Sequence, residues 1–260
     1  MKVLGDDQIE KFITDGFVKL ESAFPRSLAE ECLQLLWEQI KPDRDRPETW
    51  TEPLVYVWDC PQEPFRRAAN TSRLHAAFDQ LVGPGRWRPA ESLGWFVIRF
   101  PGQVEPPDVG WHVDGSYPAA EGDGYGLNVR SRGCGLRMLF LFSDVTDQHG
   151  PTMLRAGSHL DVPALLAPYG SAGTTDHELF RQLDVSSGRP VTNATGEVGD
   201  VYLCHPFLVH GAQRNRAAAP RFLAQPSLRL IGELDLDQAA GAASPVERAV
   251  LIGLRGSGRS

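Results

Sequence analysis

Closely spaced cysteines are missing from this sequence. Its four cysteines are Cys32, Cys60, Cys134 and Cys204, and no two of them form a CxxC pair. Finger-type zinc sites and thiol-exchange centres depend on such pairs, so neither kind of site is expected. We expect each cysteine to be a small buried hydrophobic residue in a reducing compartment.

Long hydrophobic runs are missing as well. No stretch reaches the roughly 18 consecutive apolar residues that indicate a membrane span. The opening MKVLGDDQIEKF also lacks the charged-then-apolar pattern of a secretory signal. We therefore expect no membrane association and a cytoplasmic protein.

Basic charge is scarce: 26 Lys and Arg residues stand against 33 Asp and Glu residues, for a net charge of −7. A nucleic-acid surface needs a basic face to replace the counterions of phosphate, so no nucleic-acid partner is expected. A small-molecule substrate remains compatible with this charge, because a local basic pocket fits inside an acidic protein.

The rest of the composition is that of a globular protein. Of 260 residues, 42% are apolar and 23% charged, which is sufficient for a sizeable core. Helical spacing of apolar residues predicts helices over 6–14, 27–40, 71–82 and 244–254. Residues 41–72, rich in Pro, Asp, Glu and Trp, are predicted to be irregular.

Short aromatic or β-branched runs dominate from residue 93 onward, bounded by Gly, Pro and Asp. These predicted strands are 94–100, 110–114, 136–142, 200–205 and 221–231. The pattern is typical of a β sandwich or barrel. We expect one domain over 1–260, with a helical part over about 1–90, a β core over about 91–232 and a C-terminal helix over about 244–254. The glycine-rich segment 116–135 is predicted to be a functional or disordered loop.

The first chemical motif is WHVDG. In a strand, residues two apart point to the same face, so His112 and Asp114 project together while Trp111 and Val113 point away. An imidazole and a carboxylate supply two of the three donors of a facial triad for iron(II). On its own, an HxD pair also fits a surface His beside a capping Asp.

The second motif is HPFLVHG followed by an arginine. His205 and His210 lie in it, and Arg221 comes eleven residues after His210. We favour His210 as the third metal ligand because it precedes Gly211, where backbone and metal can approach closely. His205, which precedes Pro206, fits a core histidine. The planar guanidinium of Arg221 is suited to hold a carboxylate through two hydrogen bonds.

Taken together, the motifs resemble the phytanoyl-CoA dioxygenase family of iron(II)/2-oxoglutarate oxygenases. WHVDG is similar to its HxD element, HGPTMLRAGSH (149–159) to its NGPLxxxPGSH stretch, and GDVYLCHPFLVHG with Arg221 to its closing pattern. The resemblance extends over roughly 6–254, including the opening DDQIEKFITDGFVKLESAF. It implies a double-stranded β-helix (jelly roll, cupin-like) core braced by helices.

The resemblance also implies site roles. His112, Asp114 and His210 would bind Fe(II), and Arg221 would bind the distal carboxylate of the co-substrate 2-oxoglutarate, with O2 as the other co-substrate. Because the carboxylate of Asp114 is present, hydroxylation or a related oxidation is favoured over halogenation. The substrate expected is a small metabolite, such as a natural-product intermediate.

Three positions depart from the family pattern: Val113 replaces Gln, Ala156 replaces Pro, and Ala212 replaces a Ser that touches the cofactor. Arg99 and Arg137, both in predicted strands, are candidates to replace the lost cofactor contact, and Arg99 is the one we assign to it. For each, a salt bridge or a solvated strand end is an equally good interpretation.

Aromatic residues are candidate walls of a substrate pocket. They are Trp95, Trp111, Tyr117, Tyr125 and Phe207, and Tyr117 and Trp111 are the two that we assign to substrate binding. Arg130 and Arg132, in the glycine-rich segment, are candidates to close over an anionic substrate. For this loop, simple exposure to solvent is an equally good interpretation.

A different class of protein remains open at this stage. Two histidines and a carboxylate also hold zinc in hydrolases, or another metal in non-redox cupin-like proteins that bind metabolites. A zinc hydrolase needs a general base beside the bound water, and no HExxH or equivalent motif supplies one. The oxygenase is therefore favoured.

Overall fold

The computed structural model describes residues 2–119, 124–238 and 241–256. Its helices are α1 (Asp6–Asp15), α2 (Arg26–Gln39), α3 (Glu63–Ala69), α4 (Ser72–Leu81), α5 (Val162–Leu166), α6 (Asp176–Phe180) and α7 (Pro245–Gly256). Its strands are β1 (Phe17–Leu20), β2 (Leu54–Val57), β3 (Phe96–Arg99), β4 (Gly110–His112), β5 (Tyr117–Pro118), β6 (Tyr125–Leu127), β7 (Cys134–Leu141), β8 (Met153–Arg155), β9 (Thr174–Thr175), β10 (Val191–Asn193), β11 (Val201–Cys204), β12 (His210–Ala212), β13 (Arg221–Ala224) and β14 (Ser227–Arg229).

The strands form antiparallel sheets. The large sheet has the order β1-β11-β7-β13-β3-β2, with β14 also paired to β7. The small sheet has the order β10-β8-β12-β4, and a third sheet has the order β5-β6-β9. The protein is thus mainly β with helices beside the sheets, as predicted.

The large sheet has two apolar faces because its side chains alternate. On β7, Met138 and Phe140 belong to one buried cluster, whereas Leu139 and Leu141 belong to another. The second cluster also contains Leu154 from β8 of the small sheet. One face of the large sheet therefore packs towards the small sheet, as the period of two in a strand requires.

The opposite face is covered by helices. Its cluster joins Phe140 of the large sheet to Phe12 of α1, Leu36 of α2, Phe78 of α4 and Val250 of α7. All of these side chains are buried. The helices thus leave the other face of the sheet available for the small sheet and for a cavity.

The four predicted helices are confirmed, since α1, α2, α4 and α7 lie where apolar spacing placed them. The five predicted strand regions also contain strands, although 221–231 is divided between β13 and β14 around Pro226, which cannot donate a backbone hydrogen bond. All four cysteines are free and buried, as expected. Of the helices in the described ranges, none combines the length and apolar character needed to cross a membrane.

Two predictions of irregular structure were wrong. Within 41–72 the chain forms strand β2 and helix α3, because β2 pairs along its whole length with β3 and its backbone gains partners there. Within 116–135, β5 and β6 form a hairpin whose second strand also pairs with β9. Long-range pairing of this kind outweighs local propensity and is not visible in a single sequence. Residues 120–123 of that segment lie outside the described residues.

Gly16, which ends α1, provides a test of the packing between helices and sheet. Its φ is +86°, and a Cβ atom built there would lie 2.8 Å from Cγ of His159 and 2.9 Å from Cδ1 of Leu208, both of them buried. We predict that Gly16→Ala lowers the free energy of unfolding by about 1 kcal/mol for the left-handed backbone. Overpacking should add about 1–3 kcal/mol.

Gly85 is the matched control, because its φ is +71° and nothing lies within 4 Å of a Cβ atom there. Urea denaturation of Gly85→Ala should show the backbone cost alone. Equal losses in the two variants would contradict the close packing around Gly16.

Candidate metal and cofactor site

Two histidines face each other across neighbouring strands of the small sheet. His112 on β4 is the cross-strand partner of His210 on β12, and their ring centroids are 4.3 Å apart. Directly opposed residues of an antiparallel pair place their side chains on the same face at close range. The strand register therefore brings the two motifs of the sequence together.

Asp114 completes the cluster from the residue position just beyond β4. One potential ligand atom from each of His112, Asp114 and His210 lies within 4.8 Å of the others. The carboxylate oxygens of Asp114 are 3.7 Å from Nε2 of His112 and 3.4 Å from Nε2 of His210. Val113, between the first two residues, is fully buried and points away, as the alternation predicts.

Hydrogen bonds to the backbone orient both imidazoles. Nδ1 of His112 lies 3.2 Å from the carbonyl oxygen of Gly110, and Nδ1 of His210 lies 3.0 Å from that of Leu208. A carbonyl oxygen only accepts, so Nδ1 carries the proton and Nε2 keeps its lone pair for a metal. Burial, assisted by the neighbouring His210, lowers the pKa of His112 to about 4, which favours the neutral form that binds metals.

Asp114 is held as a carboxylate by Arg137 of the large sheet. Nε of Arg137 lies 2.9 Å from Oδ2 of Asp114, in a contact that is electrostatic rather than a well-aligned hydrogen bond. Burial alone would raise the pKa of Asp114, but the charge of Arg137 and the contact with His210 outweigh it and hold that pKa well below its usual range. Arg137, a candidate for a cofactor contact in the sequence, thus lies against a candidate metal ligand.

Two more arginines lie side by side on the same face of the large sheet. Arg99 on β3 and Arg221 on β13 are cross-strand partners, and they are only 2% and 1% exposed. Arg99 forms an ion pair with Asp108, and Arg221 donates to the carbonyl oxygen of Gly150. Burial and the charge of Arg99 lower the pKa of Arg221 well below its ordinary value.

Several of these guanidinium nitrogens have no partner. Nε and Nη1 of Arg99 and Nε of Arg221 are buried without a hydrogen bond. Buried polar groups in native proteins are nearly always hydrogen-bonded, so the pair of arginines is suited to receive an anion. A dicarboxylate such as 2-oxoglutarate is an anion of this kind.

One cavity of about 400 Å³ joins all these groups. Its lining includes His112, Asp114, His210, Arg99, Arg137, Arg221, Thr152, Gly211, Ala212, Tyr56, Trp95, Tyr125, Asp108 and Asp176. The candidate ligands come from the small sheet and the arginines from the large one. The cavity therefore lies where the two sheets approach each other.

Tyr117 and Trp111, the two residues assigned to substrate binding, do not line this cavity. The hydroxyl of Tyr117 donates to the carbonyl oxygen of Ala172, and the guanidinium of Arg132 lies over its ring. Trp111 points to the other side of β4, where the guanidinium of Arg155 stacks 4.2 Å from its ring centroid. Their positions do not support contact with a substrate in this cavity.

The other candidate site residues lie partly in the cavity and partly outside it. Of the remaining aromatic residues, Trp95 and Tyr125 line the cavity, whereas Phe207 is buried against His205. His205 is itself fully buried, with Nε2 lying 3.2 Å from the carbonyl oxygen of Val246, which is the position of a core histidine. Arg130 pairs with Asp237 rather than entering the cavity.

The lining residues that sequence reasoning missed include Tyr56, Asp108, Thr152 and Asp176. Tyr56 and Asp108 reach the cavity because β2 and the segment before β4 lie beside β3, a placement with no local signal. Thr152 has a signal, since it lies within the HGPTML motif whose likeness to the family was recognised. Asp176 begins α6 and gives no sign of its role in the sequence.

The chain belongs to the phytanoyl-CoA dioxygenase family, whose model matches residues 68–223. This match confirms the resemblance that the motifs indicated. It also confirms the expected cofactors, because enzymes of this family use iron(II), 2-oxoglutarate and O2. No curated protein sequence matches the chain significantly.

Solved structures share the fold. HygX from Streptomyces hygroscopicus, with nickel, 2-oxoglutarate and hygromycin B bound, is 20% identical with a TM-score of 0.54, over 85% of this chain and 86% of HygX. The epimerase SnoN of nogalamycin biosynthesis, with iron, α-ketoglutarate and nogalamycin RO, is 18% identical with a TM-score of 0.59, over 86% of this chain and 82% of SnoN. EctD from S. alaskensis, with 2-oxoglutarate and 5-hydroxyectoine, is 21% identical with a TM-score of 0.53, over 86% of this chain and 75% of EctD.

The contact between Arg137 and Asp114 predicts how the metal-free protein responds to substitution. Arg137→Gln should lower its free energy of unfolding by about 2 kcal/mol, because a carboxylate between two histidines loses its counter-ion. The loss should fall short of that for a fully buried pair, since the Asp114 side chain is 35% exposed.

Chemical denaturation in the presence of a chelator measures this loss. The double variant Asp114→Asn with Arg137→Gln is the control, because it removes both charges and should recover most of the stability. Additive losses in the double variant would show that the two side chains do not interact.

Proposed function

We propose that the chain is an iron(II)/2-oxoglutarate-dependent oxygenase whose metal is held by His112, Asp114 and His210. The observation that carries the proposal is the convergence of these three ligand atoms within 4.8 Å, in one cavity with two buried arginines. We propose further that residues 1–260 act as a single domain, which is supported by a buried cluster extending from Leu4 to Val250.

The fold we propose for the core is a double-stranded β-helix, or jelly roll. Support comes from the two antiparallel sheets that bound the cavity and from the likeness to HygX, SnoN and EctD. In this arrangement the residues that bind the metal belong to the small sheet or follow it directly. The residues that bind the co-substrate belong to the large sheet.

The triad suits iron(II) because two neutral imidazoles and one carboxylate leave coordination positions open. When bound there, iron(II) with 2-oxoglutarate and O2 would supply the chemistry that oxidises a C–H bond of the substrate. The protein orients the imidazoles through the carbonyl oxygens of Gly110 and Leu208. Arg137 keeps Asp114 ionised and fixes its position beside both histidines.

Arg221 and Arg99 are the residues we propose for the distal carboxylate of 2-oxoglutarate. Their buried nitrogens without partners support this role. Ala212 removes a hydroxyl that relatives use at the cofactor, and the second arginine compensates for it by offering further donors. Both arginines are buried away from bulk water, which strengthens their attraction to an anion.

The substrate we propose is a small metabolite, such as a natural-product intermediate, that is hydroxylated or otherwise oxidised. Two proteins of like fold support this range: HygX has been crystallised with hygromycin B, and SnoN belongs to nogalamycin biosynthesis. Fold alone does not transfer a substrate, so the class of substrate must come from the cavity itself.

Anaerobic titration with iron(II) and then 2-oxoglutarate tests the metal assignment. We expect a weak visible charge-transfer band when both are present, and its loss in Asp114→Ala and in His210→Ala. His205→Ala is the matched control and should keep the band, because His205 lies outside the cavity. Tight binding of zinc with no band from iron and 2-oxoglutarate would instead support the hydrolase alternative.

Replacing Arg221 separates co-substrate binding from metal binding. Arg221→Gln keeps a donor for the carbonyl oxygen of Gly150 but removes the charge. We predict that the dissociation constant for 2-oxoglutarate, read from the same band, rises about tenfold to a hundredfold. The affinity for iron(II) measured without 2-oxoglutarate should stay unchanged. An unaltered 2-oxoglutarate constant would remove Arg221 from the site.

A further inference from the structure

A wall of aromatic rings borders the cavity on the side of the large sheet. Tyr56 on β2 and Trp95 just before β3 line the cavity, with ring centroids 5.9 Å apart. Trp58 stacks on Trp95 at 4.3 Å, although Trp58 is 65% exposed. Large aromatic rings left in water beside a cavity are typical of a surface that binds a ligand.

A fourth ring and a carboxylate belong to the third sheet. Gly126 of β6 pairs with Thr175 of β9, which places the adjacent Tyr125 and Asp176 beside each other. Both residues line the cavity, and 52% of Tyr125 is exposed. α6 begins at Asp176 and ends at Phe180, whose ring lies 6.1 Å from that of His112. Asp176 is therefore held on the metal side of the cavity.

Asp176 differs from the other carboxylates of the lining in its partners. Asp108 pairs with Arg99 and Asp114 pairs with Arg137. Asp176 accepts one hydrogen bond, from the backbone N–H of His177 at 2.8 Å, and forms no ion pair within 2–119, 124–238 and 241–256. A carboxylate without a cation, beside exposed aromatic rings, is the combination that binds an ammonium group.

We propose that the cavity selects a substrate that carries an ammonium group on an apolar or ring skeleton. Asp176 and Tyr125 bind the ammonium group, and Trp95 with Tyr56 holds the skeleton. This assignment rests on the proposed function, because it takes the ligand of the cavity to be the molecule that is oxidised. It narrows the substrate class to amines.

A pair of probes tests the assignment without knowledge of the natural substrate. Choline carries a quaternary ammonium group, and the alcohol 3,3-dimethyl-1-butanol is its uncharged isostere with carbon in place of nitrogen. Both probes have the same hydroxyl, so any contact of that group with iron is common to the two. Calorimetric titration of protein loaded anaerobically with iron(II) and 2-oxoglutarate gives both dissociation constants. We expect the cation to bind about tenfold more tightly than the alcohol.

Three variants separate the contributions. Asp176→Asn keeps an oxygen to accept from the N–H of His177 but removes the charge, so it should abolish the preference for the cation and leave the alcohol unaffected. Trp95→Ala should weaken both probes by a similar factor. Asp7→Asn, the same change in the first turn of distant α1, should alter neither.

Two results would overturn the inference: no preference for the cation in the unaltered protein, or the same preference in Asp176→Asn. The visible band of iron with 2-oxoglutarate is recorded on the same samples and should persist in Asp176→Asn. A missing band in the unaltered protein contradicts the proposed function, whereas a normal band with an unchanged preference contradicts the amine assignment alone.

Discussion

Three arginines on one face of the large sheet, two of them buried and one half-buried, set the conditions that the rest of the site must meet. Arg99, Arg137 and Arg221 project towards the small sheet, where burial makes an unpaired charge costly. Asp108 forms an ion pair with Arg99, and Asp114 forms one with Arg137. Arg221 donates to the carbonyl oxygen of Gly150 and pairs with no carboxylate among the described residues. An anion bound beside these guanidinium groups would therefore stabilise the site. The packing of the large sheet thus favours an anionic co-substrate.

The same arrangement connects the co-substrate region to the metal region. Arg137 belongs to the row of arginines by its position on β7, yet its partner is Asp114 of the triad. Arg137, a candidate in the sequence for the cofactor contact, thus lies against a candidate metal ligand instead. Arg99 and Arg221, whose guanidiniums have nitrogens without partners, are the two that we propose for the co-substrate.

Much of the candidate site could be predicted from the sequence, because its residues lie in short motifs with a fixed period. His112 and Asp114 are two apart on a strand, and His210 precedes a glycine whose lack of a side chain lets β12 pass close to Gly110. The residues that sequence reasoning placed wrongly or missed depend on pairing between distant segments. Tyr117 was chosen for its proximity to the motif along the chain, but its hydroxyl is directed to the carbonyl oxygen of Ala172, and Tyr125 lines the cavity instead.

The candidate metal and co-substrate residues belong to different elements of the fold from the aromatic rings and Asp176. The candidate ligands His112 and His210 and the buried Arg99 and Arg221 lie in the two sheets, where they are cross-strand partners. The aromatic rings and Asp176 lie at strand ends, in the third sheet and at the start of a short helix. Substitution at those edges alters what enters the cavity without disturbing the pairing of His112 with His210 or of Arg99 with Arg221. Residues that contact a substrate can therefore change while the strand pairing that positions the candidate metal ligands stays intact, because different elements of the fold carry the two groups.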